Sequence, residues 1–216
     1  MKSPLPIQSF CLLCTLLFSV SCSPKLTSDW TRQEYQDRSF TKIAVVAIHE
    51  NLTVRTKFES TAVKRFKKEG INAIEGITIF PPKMTEAQKQ PKNLIKIIEE
   101  NNLDGVVTMS LVSSEEGTRY RPGEDYVVPA GYSRFGKYYV QRYARVQAPG
   151  YYEPTKSYLV EAILYDLKGE LYEGKETLVW SGQSSLVDPS SIESAANSFT
   201  KKMVRHMVDN QIIKMK

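Results

Sequence analysis

His49, Glu50 and Glu115 are the side chains whose types and positions could support acid and base chemistry. His49 and Glu50 directly follow the apolar run 43–48, and Glu115 follows a second apolar run, 106–112. Ligands in open α/β sheets bind beyond the carboxyl ends of parallel strands, where these groups could converge. Such a cluster would suit an envelope hydrolase.

The same side chains also fit a solvated strand end. Adjacent residues of an extended chain point in opposite directions, so Glu115 and Glu116 cannot both face one substrate. No GxSxG elbow, P-loop or GxGxxG motif is present. The second histidine, His206, falls on a predicted helix flank, and neither histidine has the spacing of a metal-binding pair. We therefore expect no metal, no cofactor and no enzymatic activity, with the hydrolase as the alternative.

Cys22 is a further reactive side chain, and it follows a short apolar run. The run covers 10–20, with Lys2 upstream and the small residue Ser21 directly before the cysteine. A membrane-spanning helix needs about 20 apolar residues, whereas a secretory signal needs about 7–15. The pattern resembles a bacterial lipoprotein signal peptide, although Ser19 stands where such signals usually carry leucine. The resemblance implies cleavage before Cys22 and attachment of acyl chains such as palmitate.

Cysteine usage favours the same interpretation. The chain has three cysteines, and Cys11 and Cys14 lie inside the predicted signal. A chain beginning at Cys22 would keep one thiol and no internal disulfide, which is unusual for an exported protein unless that thiol is used. The alternative is a plain secretory signal with Cys22 as an ordinary thiol. Ser23 does not resemble an inner-membrane retention signal, so the lipoprotein resemblance implies an outer-membrane anchor on either face.

Composition predicts one domain after the signal. The formal charge of +5 falls to +4 when Lys2 is removed, and the charges are spread along the chain. This is not the basic stripe of a nucleic-acid-binding protein. We predict a signal peptide at 1–21, a polar tether without periodicity at 22–38, and a single α/β domain at 39–216.

The first half of the domain alternates strand and helix patterns. The run 43–48 predicts a strand covered on both faces, and the spacing of apolar residues in 54–66 predicts an amphipathic helix that stops at Gly70. A weak strand at 71–74, a helix at 91–101 and a covered strand at 106–112 follow. This order predicts a parallel core of three strands.

The second half predicts an antiparallel hairpin and a closing helix. The hairpin strands are 158–165 and 177–184. Ser190 and Glu193 have the spacing of a capping box, and an apolar stripe follows down to Met207. The whole pattern predicts an α/β domain with a mixed sheet of about five strands and about three helices.

The segment 118–157 interrupts this pattern with tyrosine, arginine and proline. Tyrosine combines an apolar ring with a hydrogen-bonding tip, and arginine supplies planar donors. The rings could fold back over the sheet or decorate an extended hairpin. They could instead form a recognition surface for an envelope protein, a glycan or an anionic lipid headgroup. The candidate binding residues are Tyr138, Tyr139, Arg142, Tyr143, Tyr151 and Tyr152.

Four motifs resemble an uncharacterised family of bacterial envelope lipoproteins. They are Gly150–Thr155, Tyr158–Asp166, Leu178–Ser181 and Asp188–Ile192. That family also places a tyrosine- and glycine-rich insert before a hairpin containing Leu-Tyr-Asp and Leu-Val-Trp-Ser. The resemblance implies a non-catalytic accessory or binding lipoprotein, and it carries over no catalytic residue. The insert of this chain is richer in arginine and poorer in glycine.

Overall fold

A computed structural model describes residues 25–32, 39–88, 90–135, 137–168 and 177–215. The predicted signal peptide and Cys22 lie outside the described residues. In chain order the elements are β1 (Ser28–Thr31), β2 (Ser39–Phe40), β3 (Ile43–Ile48), α1 (Leu52–Lys68), β4 (Ala73–Glu75), α2 (Gly76–Ile79), α3 (Pro91–Glu100), β5 (Gly105–Arg121), β6 (Asp125–Phe135), β7 (Tyr138–Gln147), β8 (Tyr151–Asp166), β9 (Thr177–Val187), α4 (Ile192–Asp209) and β10 (Lys214–Met215).

The main sheet contains six strands in the order β1-β9-β8-β5-β3-β4. β3 runs parallel to β4 and β5, while β5, β8, β9 and β1 pair antiparallel. The predicted mixed α/β architecture, with its parallel core of three strands, is confirmed. Two separate two-stranded sheets, β2 with β10 and β6 with β7, complete the pairing of the described strands.

The sixth strand comes from the segment that we predicted to be a tether. Ser28–Thr31 forms the edge strand β1, in which Thr31 lies opposite Trp180. Leu26 also packs against the hydrophobic core. The prediction of a tether at 22–38 is therefore wrong for these residues, and 33–38 lie outside the described residues. The signal was weak because Ser28, Asp29 and Trp30 are exposed, so this short edge strand has no apolar alternation.

α1 and α4 pack side by side on one face of the sheet. Phe58 of α1 and Phe199 of α4 have ring centroids 6.4 Å apart. The residues of β5 and β8 that face these helices are buried, whereas the alternate residues, such as Val106 and Ile163, are only half-buried. The expectation that 106–112 is covered on both faces is therefore wrong, because the described helices that pack on this strand cover only one face.

Two helix ends show how local sequence sets the boundaries. Gly70, with a φ of 77°, follows the end of α1, as the sequence predicted. The N-cap of α4 is Ser191, whose Oγ accepts a hydrogen bond from Ser194 N–H at 3.0 Å. The predicted capping box of Ser190 and Glu193 is wrong by one residue, because the helix starts at Ile192.

β5 and β8 extend well beyond the other strands of the main sheet. Past a bulge between Leu111 and Ser113, and past the end of β9 at Val187, they continue as a two-stranded ribbon to Arg121 and Tyr151. β6 and β7 form a second hairpin past the end of that ribbon. We call the ribbon and hairpin, residues 115–157, the arm, and the rest of the described fold the body.

Candidate interaction surface

The arm carries most of the exposed aromatic side chains of the described residues. Tyr152 is 72% exposed and Tyr143 is 64% exposed. Soluble proteins rarely expose contiguous apolar surface unless it meets a partner or ligand. The exposed tyrosines of the arm are Tyr120, Tyr126, Tyr132, Tyr143, Tyr151 and Tyr152.

The ribbon presents tyrosines on both of its faces. Tyr120 lies directly opposite Tyr152, and their ring centroids are 5.2 Å apart at an interplanar angle of 57°. Tyr151 lies opposite Arg121 and points to the other face because side chains alternate along a strand. Neither face of this part of the ribbon is covered by the body.

The arginines of the ribbon are engaged in ion pairs. Arg121 Nε lies 2.7 Å from Glu153 Oε1, and Arg119 Nη2 lies 3.1 Å from Asp188 Oδ2. Asp188 Oδ1 also accepts a hydrogen bond from Lys156 N–H at 2.6 Å. Since Asp188 follows β9, these contacts tie the base of the arm to the body. We therefore assign Arg119 and Arg121 to arm structure and leave recognition to the tyrosines.

The hairpin of β6 and β7 exposes apolar side chains as well. Val127, opposite Arg145, is 60% exposed, and Tyr143 lies opposite Pro129 on the same face. On the other face, Tyr126 lies opposite Val146. An isolated two-stranded hairpin is only marginally stable in water, and both faces here are open.

Two glycines form a narrow neck between ribbon and hairpin. A Cβ on Gly123 would lie 1.8 Å from the carbonyl oxygen of Ala148. A Cβ on Gly150 would lie 2.1 Å from the hydroxyl oxygen of Tyr120. Only glycine allows the chain to approach so closely at these two positions.

The structure distributes the predicted binding residues over the arm. Arg142 and Tyr143 lie on β7 and are exposed, and Tyr151 and Tyr152 lie on the ribbon. Tyr138 and Tyr139 belong to β7, and their side chains lie outside the described part of the chain. Sequence reasoning did not single out the exposed valines, Val127 and Val140.

The predicted acid-base cluster does not assemble. β5 does not end at Val112 but runs to Arg121, so Glu115 lies on the arm. Ile48 pairs with Ser110, which places Glu115 about 16 Å further along the strand from the end of β3. Glu116 forms an ion pair with Lys156 at 2.7 Å. This hydrogen bond, together with the charge of Lys156, lowers the pKa of Glu116 from its ordinary value.

His49 instead lies at the mouth of an apolar cavity. Its Nδ1 accepts a hydrogen bond from Asn51 N–H at 2.9 Å, which leaves the proton on Nε2 in the neutral ring. The cavity, of about 350 Å³, lies where α1 and α4 begin above β3, β5, β8 and β9. Its apolar lining residues include Val54, Phe58, Met109, Leu111, Val160 and Leu186.

Within the described ranges, no group of three or more histidine, cysteine, aspartate or glutamate side chains could hold a metal ion. In the same part of the chain, no helix has the length and apolarity needed to cross a bilayer.

No family model and no curated protein matches the sequence. Among solved structures, the chain is similar to a PelC dodecamer protein from Paraburkholderia phytofirmans, with 14% identity and a TM-score of 0.43 over 88% of this chain and 98% of that one. It is also similar to lipoprotein GNA1162 from Neisseria meningitidis, with 12% identity and a TM-score of 0.40 over 78% and 99%. A PDZ domain protein from Parabacteroides distasonis matches at 11% identity and 0.35 over 78% and 32%. The neighbours thus include a bacterial lipoprotein, and similarity at this level carries no conclusion about function.

Proposed function

We propose that this protein is a non-catalytic, lipid-anchored protein of the bacterial outer membrane that binds another envelope component through its arm. The observation that carries the proposal is the set of exposed tyrosines and valines on both faces of the arm. The apolar run before Cys22 supports the anchor. The arm supplies aromatic surface at low entropic cost, because tyrosine has few rotatable bonds.

The geometry of His49 argues against the alternative hydrolase. A general base needs an unprotonated nitrogen facing its substrate. In His49, Nδ1 is occupied by Asn51 N–H, so the outward nitrogen, Nε2, is a donor. Glu115 lies on the arm and cannot assist it. His49 is therefore better suited to hold a ligand than to abstract a proton.

The first experiment tests the anchor. Intact-mass measurement of the protein from its own cell should show a chain that begins at a diacylated Cys22. Cys22→Ala should release the protein from the membrane fraction. An unmodified thiol or a different first residue would contradict the anchor without touching the role of the arm.

The second experiment tests the arm. The full chain is cross-linked in its native envelope, purified by affinity, and compared with a Tyr143→Ser, Tyr151→Ser, Tyr152→Ser variant. We expect at least a tenfold loss of the captured partner, since buried aromatic anchors dominate interfaces. Ile95→Ser, which removes an exposed apolar side chain of α3, is the matched control. Equal capture by both variants, or turnover of an envelope substrate that His49→Ala abolishes, would overturn the proposal.

A further inference from the structure

The cavity lies at the carboxyl end of β3, beside Met109–Leu111 of β5, and is separate from the arm surface. Ile48 is the last residue of β3 and Leu111 lies within β5, and both side chains line the cavity. Ile192 of α4 completes an apolar rim, and Ile48 is 60% exposed there. Open α/β sheets bind ligands at this position, and a cavity of about 350 Å³ lies within the usual range for small ligands of about 300–1,000 Å³.

The lining selects for an apolar ligand with one polar end. Apart from His49, Ser110, Tyr158 and Ser191, the lining side chains are apolar, and none of them is a carboxylate or an amine. A peptide segment placed here would leave backbone amide groups without partners, which is costly in an apolar site. A hydrocarbon chain brings no polar atoms into the cavity and gains about 0.8 kcal/mol for each buried CH₂.

We propose that this cavity binds a single acyl chain whose carboxylate or ester oxygen lies beside His49. The hydrogen bond from Asn51 N–H to Nδ1 leaves Nε2–H as a donor at the cavity mouth. The chain then lies against the aliphatic lining between α1 and α4. This site requires neither the arm nor the anchor, so it stands apart from the proposed function.

The chain can come from a free fatty acid or from a phospholipid. The acyl groups predicted at Cys22 are a third source, which the Cys22→Ala variant distinguishes from an external lipid.

The test uses the full lipidated chain, held in solution by an amphipol, with parinaric acid as the fluorescent probe. We expect saturable binding that palmitate displaces. Ala195→Trp places a large ring where Ala195 lines the cavity, and it should weaken binding at least tenfold. Ile95→Trp, on the exposed surface of α3, should bind like the unchanged protein. Melting temperatures of all variants separate loss of the cavity from loss of the fold.

A second variant keeps the test decisive if Ala195→Trp does not fold. Leu111→Asp puts a charge on the exposed rim of the cavity and should also weaken probe binding at least tenfold. His49→Ala should weaken palmitate about fivefold and leave competition by an alkane of equal length unchanged. Mass spectrometry of the extracted ligand distinguishes a fatty acid from a phospholipid. Non-saturable binding, equal binding by the filled variants, or binding only after Cys22→Ala would each overturn the proposal.

Discussion

The body and the arm share two strands, β5 and β8, yet the side chains of these strands are buried in the body and exposed in the arm. In β5, residues from Gly105 to Met109 alternate between buried and half-buried, whereas from Ser114 to Arg121 every side chain is exposed. The backbone pairing with β8 continues through both parts. Hydrogen bonding alone therefore extends a sheet well beyond its core. What changes at the bulge is side-chain burial, and with it the source of stability.

Glu59 shows how the body satisfies a buried carboxylate by specific contacts. Glu59 of α1 is fully buried. Its Oε1 accepts from Ala47 N–H at 3.0 Å and from Arg55 Nε at 2.9 Å, and its Oε2 accepts from Ile77 N–H at 2.6 Å. β4 ends at Glu75 and pairs with β3 only as far as Val45, so Ala47 N–H needs this acceptor.

The largest expected effect is the loss of this contact. Glu59→Ala leaves two backbone donors and the Arg55 guanidinium without their partner. Breaking a buried pair of this kind costs about 3–5 kcal/mol of the free energy of unfolding, measured by urea denaturation. Glu69→Ala, at an exposed position at the end of the same helix, should change it by less than about 0.5 kcal/mol. Similar values for the two variants would show that Glu59 does not hold β3 and α2 together.

A smaller effect is expected at the start of α4. Ser191→Ala removes the side-chain oxygen that accepts from Ser194 N–H and should cost about 1 kcal/mol. Ser190→Ala removes an exposed neighbour of similar size and should cost close to nothing. Thermal unfolding of both variants measures the difference. A larger loss of stability for Ser190→Ala than for Ser191→Ala would identify Ser190 as the N-cap, as the sequence pattern predicted.

The arm can be perturbed without the body at its neck. Gly123→Ala forces a Cβ against the Ala148 carbonyl, so β6 and β7 must shift relative to the ribbon. Hydrogen exchange should accelerate in 125–147 while the core strands keep their protection, because regions with few buried contacts open independently. Ala130→Gly, within the same hairpin, is the control. Equal protection throughout would mean that the hairpin is more firmly supported than its exposed faces suggest.

The body was predictable because a buried face requires apolar residues at a regular spacing in the sequence. The apolar run 43–48 and the four-residue spacing of Phe58, Ala62 and Phe66 reflect faces that are buried in the structure. β1 was missed because its exposed residues carry no such pattern. Glu59 was missed because a buried carboxylate looks like a solvated one in a helix that is rich in charges.

The arm was only half predictable. The tyrosines of 118–157 indicated an unusual segment, but the end of β5 was placed at Val112, where the apolar run stops. An exposed ribbon needs no buried face, so nothing after Val112 marks it as a strand. The error moved Glu115 to a strand end and created the acid-base hypothesis. In the structure, Glu115 pairs across the ribbon with Ser157.

The smallest expected effect concerns the charge pair beside Glu115. The Lys156 ammonium donates a hydrogen bond to Glu116 and lowers the pKa of this carboxyl from 4.5, while the carboxylate raises the pKa of Lys156 from 10.5. The contribution from Glu116 is therefore fully present above pH 4.5 and is lost as the pH falls through its lowered pKa. The contribution from Lys156 is present below pH 10.5 and is lost as the pH rises through its raised pKa.

Because both side chains are exposed, this pair should affect the ribbon and leave the stability of the body unchanged. An NMR titration should place the Glu116 midpoint below 4.5, and Lys156→Ala should return it toward 4.5. High salt should do the same in the unchanged chain, since exposed charges are screened. Lys83→Ala, on an exposed segment away from the arm, should leave the midpoint where it was. If Lys156→Ala leaves the Glu116 midpoint unchanged, this pair does not help to order the arm.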